Sequence, residues 1–337
     1  MGKFEDSVWI SWEDHRRSRE LSKAFSAKFI PLVYDAPRWK RYPYLMSKTI
    51  ACLLNNRSKL IYCQNPSIVL ASLLVIFKPI FGYKLIVDRH SNFKFEHESS
   101  KKIKWIIFHW LSRFTVKKSD LTIVTNEYLK EVCESYGGIA SVLPDKLPNM
   151  NLCDSKNKLS FLNLDNGFIH VMVVTTFNED EPIEEIVKSI ELLPENFRLY
   201  LTGNYRKYCD ESKKNSLEGK GVFLTGFLSE SDYQNLMSLS DIVLVLTLKE
   251  HILNCGAYEA LSLRKPYVIS DTNALRDYFK KGCVYVKPLA SEIASGLKTA
   301  SENREIMVNE INLFIPELEK NWESRFDEIV RFREEAL

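Results

Sequence analysis

Short apolar runs recur along the chain, separated by longer stretches with helical spacing and punctuated by Gly, Pro and Asn. In the first half VWISW, FIPLVYD, KLIYC, YKLIVD, DLTIVTN and SVLPD read as strands. Between them the segment from about Arg17 to Phe29, then YLMSKTIACLLNN, SIVLASLLVIF, a basic aromatic stretch over 101–118 and NEYLKEVCESYGG read as helices. Strand and helix in alternation predict a parallel sheet covered by helices. Pro144, Pro148 and Asn149 close this unit, and the polar, turn-rich stretch 153–166 predicts a linker. The second half begins with the strand FIHVMVV and the helix EPIEEIVKSIELL. The strands RLYLTGN and GVFLTGF, the helix ESDYQNLMSLS and the strand DIVLVLT follow. It ends with a strand–loop–helix–strand passage from Leu244 to Phe279, the strand GCVYV and two helices, the last from about Pro316 to Leu337. There is no internal repeat and no low-complexity tract.

A chain of 337 residues exceeds a comfortable single core, so two domains of about 150 residues are expected. The pattern places them over 1–152 and 167–315. Lys and Arg total 46 against 44 acidic residues, and a net charge of +2 gives no reason to expect nucleic acid as a partner. The basic residues gather in the first half, at Arg16, Arg17, Arg19, Lys23, Lys28, Arg38, Lys40 and Arg41 and again over 101–118. Seven cysteines without CxxC spacing argue against zinc and against a disulfide framework, and suit a reducing cytoplasm. The amino-terminal residues lack the pattern of a secretory signal. The longest apolar run, Ile68 to Gly82, is interrupted by Lys78 and Pro79 and is shorter than the ~20 residues of a membrane span. It reads as a buried helix.

Candidate chemistry concentrates in LVLTLKEHILNCGAYEALSLRKPYVISDTNALRDYF. Its glycine-bearing loop lies beyond the carboxyl end of a strand, where open parallel sheets bind ligands, and the helix start behind it suits a phosphate. Glu259, a few residues inside that helix, can accept hydrogen bonds from ribose hydroxyls. A nucleotide ligand follows from this geometry. A carboxylate that merely favours a helix dipole uses the same position.

These residues resemble the donor-site segment of retaining GT-B glycosyltransferases, in particular glycosyltransferase family 4. In that family two glutamates separated by seven residues bracket a glycine loop, the first contacting the transferred sugar and the second the nucleotide ribose. Glu259 matches the second. Eight positions earlier stands His251, preceded by Glu250, so the first glutamate is replaced or displaced by one residue. VMVVTTFNEDEPIEEIVKSIELLPENFRLYLTGN and GVFLTGFLSESDYQNLMSLSDIVLVLT follow the order of the family's carboxyl-terminal domain.

The resemblance implies an α/β fold of GT-B type, with two Rossmann-like domains facing an interdomain cleft and the helix 316–337 packing back on the first domain. It implies a donor site at Glu259 and at Asn254, Cys255, Gly256 and Ala257 of the helix start, with Thr176, Gly203, Asn204 and Phe227 on neighbouring strand ends. Relatives carry an arginine and a lysine in the loop after the first strand of the second domain. Here that loop, TTFNEDEP, holds Glu179, Asp180 and Glu181 and no base. Positive charge for a diphosphate is then expected from the helix start first, and otherwise from Lys249, Arg206, Arg16 or Arg17. Glu250 and His251 are candidates for sugar contact, and His90 for donor-sugar or acceptor contact with Asp88 orienting its ring. His15 stands where relatives have a glycine-rich loop.

The expected activity is transfer of a sugar from a nucleotide-sugar to a saccharide or lipid-linked acceptor with retention, in bacterial surface polysaccharide assembly. No metal, no cofactor beyond the donor and no covalent nucleophile are expected. KKIKWIIFHWLSRFTVKKS suits the surface of an anionic membrane, placing the protein in the cytoplasm at the inner membrane face, although a core helix with a basic edge has the same composition. Two rivals stand beside this reading: a catalytically degenerate scaffold subunit, and a GT-B sugar-nucleotide epimerase.

Overall fold

The computed structural model describes residues 7–64, 67–90, 93–150 and 167–336. It divides into two compact units, one of residues 1–146 with 321–337 and one of residues 147–320. The first unit contains β1 (Ser7–Ser11), α1 (Arg16–Ala24), β2 (Lys28–Pro31), α2 (Arg38–Asn56), β3 (Leu60–Gln64) and α3 (Ile68–Phe81). It continues through β4 (Lys84–Asp88), α4 (Ile103–Lys118), β5 (Leu121–Val124), α5 (Glu127–Ser135) and β6 (Ala140–Val142). Its strands pair in parallel in the order β2-β1-β3-β4-β5-β6. Strands such as LIYCQ are apolar on both sides because helices cover both faces. On one face Val8, Ile10, Ile61 and Leu85 meet α2 and α3. On the other, Trp9, Tyr62 and Ile86 meet Leu21 of α1 and Phe25 at its C-cap, together with Trp322 and Ile329 from the end of the chain.

The second unit contains β7 (Ile169–Val173), α6 (Ile183–Ser189), β8 (Phe197–Thr202), α7 (Glu211–Glu218), β9 (Val222–Gly226), α8 (Glu230–Leu239) and β10 (Ile242–Val245). α9 (Cys255–Ser262), β11 (Tyr267–Ser270), α10 (Asn273–Tyr278), β12 (Cys283–Val286), α11 (Ala290–Glu302) and α12 (Arg304–Ala336) complete it, α12 running on into the first unit. The parallel order is β12-β11-β10-β7-β8-β9. The chain leaves β7 in one direction and returns across it to β10, so the two strands flank the point at which strand order reverses. In an open α/β sheet the ligand crevice lies there, beyond the carboxyl ends. No helix among the described residues is long and apolar enough to cross a membrane.

Three element boundaries and one further helix differ from the sequence expectation. α1 ends at Ala24 rather than near Phe29, because Ser26 turns at φ 52° and releases Lys28 into β2. α2 begins at Arg38, with Pro43 inside it, six residues before the apolar periodicity becomes visible. α7, capped by the Asp210 side chain on the Lys213 N–H, occupies a stretch whose charged composition hides a helix. Parallel β8 and β9 require such a crossover. The last helix starts at Arg304 and carries Pro316 within it, where a proline helix start had been expected. The linker expected over 153–166 lies outside the described residues.

Candidate functional site

In the second unit the loops after β7 and β10 meet at the reversal point. The Leu248 N–H donates to the Asp180 carbonyl at 2.7 Å, and the Lys249 ammonium lies 3.0 Å from the Asp180 carboxylate. Ser270 exchanges hydrogen bonds of 2.8 Å with the Thr247 N–H and carbonyl, fixing the root of the second loop. α9 starts hard against the sheet. A Cβ on Gly256 would stand 2.9 Å from Val174 Cγ1, and Ala257 is fully buried, so only small residues let this helix end approach the strands. Asn254 is its N-cap, yet its side chain makes no capping bond, and its buried Oδ1 has no hydrogen-bond partner among the described residues. Cys255 beside it is exposed. Glu259, part-buried one turn further on, accepts a 2.7 Å hydrogen bond from the Tyr233 hydroxyl of α8. Tyr233 was missed by the sequence reading. It stands 26 residues away from Glu259, and no local spacing signals the contact.

The acidic loop is resolved by its own hydrogen bonds. Glu181 turns inward and accepts from Thr175 Oγ1 at 2.5 Å, from the Thr176 N–H at 3.0 Å, from Thr176 Oγ1 at 3.1 Å and from the Asn178 N–H at 3.0 Å. Asp180 is paired with Lys249, and Glu179 is exposed. Of the three acids expected to face solvent or a repelled diphosphate, two are therefore held by loop donors or a cation. The arrangement keeps Phe177 at φ 58°, an unusual conformation for a bulky residue, with its ring buried. Gly203, at φ 95°, completes it: a Cβ there would lie 2.4 Å from the Thr175 carbonyl oxygen. Thr176, exposed in the loop, is engaged with Glu181 through both its N–H and its hydroxyl, while Asn204 starts the turn after β8 that carries exposed Arg206. Phe227 follows Gly226 at the end of β9 and is 78% exposed.

Glu250 also has a structural partner. One of its oxygens accepts the Asn273 N–H at 2.6 Å, at the start of α10. His251 is part-buried, and burial lowers its pKa against the opposing pull of Glu250.

In the first unit His90 follows β4, with Nδ1 3.2 Å from Asp88 Oδ2 and its ring stacked on His15 at 5.4 Å. Burial lowers the His15 pKa first, and the charge of His90 lowers it further. Asp88 is fully buried. Burial pushes its carboxyl up, but the Arg17 guanidinium outweighs this and holds it well below the carboxylate range. Arg17 binds Asp88 at 2.9 Å, Asp145 at 2.6 Å and the Leu143 carbonyl at 2.8 Å. A buried arginine committed to two carboxylates and a carbonyl has no reach toward a diphosphate, which corrects the expectation for this residue. Arg16, next to it, is half-exposed and lies 3.8 Å from Glu20. The basic aromatic stretch is α4, whose Ile103, Ile106, Ile107 and Trp110 are all more than half exposed while Ser112, Thr115 and Val116 face inward.

Two Rossmann-like units, each a six-stranded parallel sheet between helices, define the GT-B class. Residues 154–312, just under half of the chain, match the family described as glycosyl transferases group 1. By this fold the chain has the GT-B architecture, and the family match falls within its second unit. It is similar to sucrose-phosphate synthase from Thermosynechococcus elongatus, with TM-score 0.71 and 16% identity over 92% of this chain and 83% of that one. It is also similar to Anabaena HepE, whose structure was determined in complex with UDP, with TM-score 0.70 and 15% identity over 98% of both chains. A glycosyltransferase from Rickettsia africae gives 0.67 and 10% over 98% of both. At these identities the likeness establishes the fold. A comparison with the sequences of curated proteins gives no match.

Proposed function

We propose that this chain is a glycosyltransferase that takes its sugar from a nucleoside diphosphate donor held at the β7/β10 edge of the second unit, and transfers it with retention to a saccharide or lipid-linked acceptor. The observation that carries the reading is the start of α9 beside the reversal point, with Glu259 fixed by Tyr233 behind it. The diphosphate lies on the helix start at Asn254, Cys255, Gly256 and Ala257, where the dipole favours an anion and the free backbone N–H groups donate to it. Glu259 takes the ribose hydroxyls on its carboxylate, which Tyr233 holds in place. Phe227 is a stacking surface for the base, with the Gly203–Asn204 turn and Thr176 beside it. HepE binds UDP and UDP-glucose, which makes uridine nucleotides the first donors to try. Lys249, positioned by Asp180, supplies the fixed positive charge that the loop after β7 lacks.

Glu250, through its second oxygen, and His251 contact the sugar. His90 and Arg16 are the first unit's contributions to substrate contact. The departing diphosphate receives the acceptor proton on the same sugar face, so the mechanism needs no covalent nucleophile, no metal and no further cofactor. The exposed isoleucines and Trp110 of α4, with Lys101, Lys102 and Lys104 at its start, support peripheral contact with an anionic membrane. That contact fits a lipid-linked acceptor, surface polysaccharide assembly and the cytoplasmic membrane face.

The scaffold reading draws on the two loops after β7 and β10, because Glu181 and one oxygen of Glu250 are engaged in backbone hydrogen bonds. Calorimetric titration with a panel of nucleoside diphosphates and nucleotide-sugars, with Glu259→Ala alongside, tests both. Binding by the wild type that falls by about tenfold or more in the variant supports the donor site. No binding by the wild type sinks it, and binding without turnover of any nucleotide-sugar favours the scaffold.

A further inference from the structure

The carboxyl edge of the first sheet carries a surface that neither the donor site nor the α4 face explains. α2 is anchored there from inside. The Trp12 indole N–H donates to Thr49 at 3.0 Å, Tyr42 packs on the Trp12 ring, and Leu45 is fully buried. The outer side of the same helix start is left open: Trp39 is 72% exposed and Tyr44 is 42% exposed. Tyr34, from the loop that leaves β2, packs against Tyr44 with ring centroids 4.4 Å apart. Lys40 lies 4.8 Å from the Trp39 ring centre and Lys48 lies 5.5 Å from that of Tyr44. Residues 33–48 hold Arg38, Lys40, Arg41 and Lys48 against the single acid Asp35, and among the described residues only Arg41 approaches a carboxylate, that of Glu13 at 3.9 Å.

We propose that this rim is a binding platform for an anionic saccharide, whose rings stack on Trp39, Tyr34 and Tyr44 and whose acid group meets Arg38, Lys40 and Lys48. The inference deepens the glycosyltransferase reading and rests on it for the choice of a saccharide as ligand. Three observations carry it. An exposed tryptophan and, five residues on in the same helix, an exposed tyrosine packed on a second one are costly to leave in water, and such exposed aromatic groups mark binding surfaces. The platform stands at the carboxyl ends of β1 and β2, the edge at which open sheets take ligands and at which His15 and His90 also lie. Its chemistry also differs from that of α4. There the exposed apolar side chains are three isoleucines and Trp110, suited to acyl chains, whereas here they include Trp39, Tyr34 and Tyr44, with Lys40 and Lys48 beside two of the rings, suited to the flat C–H faces of sugars and to an acid substituent. Pro37 at the helix cap and Pro43 within the first turns stiffen the segment, so little ordering entropy opposes binding.

The test is retention of the full-length protein on an array of anionic and neutral oligosaccharides, followed by titration of the anionic glycan held best. Wild type, Trp39→Ala and the triple variant Arg38→Ala, Lys40→Ala, Lys48→Ala are compared, with UDP binding measured on every sample. Anionic glycans should be retained over neutral ones, with affinity falling by about tenfold in Trp39→Ala and the anionic preference lost in the triple variant, while UDP binding and melting temperature stay unchanged. Failure to retain any anionic glycan overturns the proposal, as does equal binding by Trp39→Ala. Inorganic phosphate that competes fully with the glycan at millimolar concentration reduces the site to a plain anion site and also overturns it. Binding of phosphatidylglycerol vesicles that depends on Trp39 without glycan binding assigns the rim to the bilayer instead. Loss of UDP binding in the wild type would count against the donor site and leaves the glycan result readable on its own.

Discussion

Glu181 illustrates how a residue with the wrong charge for a site can still build it. Its carboxylate collects two hydroxyls and two backbone N–H groups of the loop after β7, and the loop keeps Phe177 in a left-handed conformation. Glu181→Ala removes the acceptor and leaves the Thr175 hydroxyl buried without it. A loss of about 1–3 kcal/mol in urea unfolding is expected, with weaker nucleotide binding as the loop relaxes. Unchanged stability and unchanged binding would show that the loop is set by Phe177 and Gly203 alone. Asp88 makes a second prediction at this scale. Its folded carboxyl titrates well below the unfolded value of about 4, so the native state binds fewer protons than the unfolded chain as that pH is approached. The stability it contributes is therefore fully present above that unfolded value and is lost as pH falls through the folded one. Asp88→Asn leaves Arg17 with Asp145 alone and should cost about 3 kcal/mol at neutral pH. The gap between the variant and the wild type should hold from pH 7 to pH 5 and narrow only below about pH 4, as urea midpoints at pH 7, 5, 4 and 2 would show. A gap that narrows already between pH 7 and 5, or that stays constant down to pH 2, would contradict the assignment.

At the scale of elements, buried parallel strands were legible because an apolar run covered on both faces needs no partner information to be recognised. The start of α9 was legible for a related reason: glycine, alanine and a carboxylate at helical spacing after a strand leave few alternatives. Side chains that serve another element were not. Glu250 carries no mark of its bond to the Asn273 N–H, and Tyr233 carries none of its bond to Glu259. α7 was invisible because its surface composition is charged throughout, and only the parallel pairing of β8 with β9 demands it. Two predictions belong here. Gly256→Ala places a methyl 2.9 Å from Val174, lifting the helix start from the sheet, and should cost about 1–3 kcal/mol together with nucleotide affinity. The α4 face is tested by Ile107→Asp with Trp110→Asp. Both side chains are more than half exposed, so the melting temperature should hold while sedimentation with phosphatidylglycerol vesicles is lost. Retained sedimentation would remove α4 from the membrane reading.

For the whole molecule, the two halves announced themselves through two runs of strand and helix, but the boundary at the end of the chain did not. Pro316 suggested a fresh helix because proline favours a first turn, whereas α12 passes through it, and its apolar positions serve two different cores in succession. Ile311, Phe314 and Leu318 belong to the core of the second unit. Trp322 and Ile329, with Phe326 packed beside them, belong to that of the first. Arg333 fastens the end with a hydrogen bond to the Phe25 carbonyl at 3.0 Å, and Trp322 donates to the Pro144 carbonyl at 3.1 Å. A chain ending at Lys320 would lose all of these from the first unit and none from the core of the second. Losing one large buried side chain costs about 2–5 kcal/mol, so three approach or exceed the ~5–15 kcal/mol that holds an ordinary domain together. Calorimetry of this truncated chain should show a single remaining transition, still raised by the nucleotide that the full-length protein binds. Near-native melting of both units after truncation would mean that the face of Trp9, Phe25 and Tyr62 is sealed without the helix.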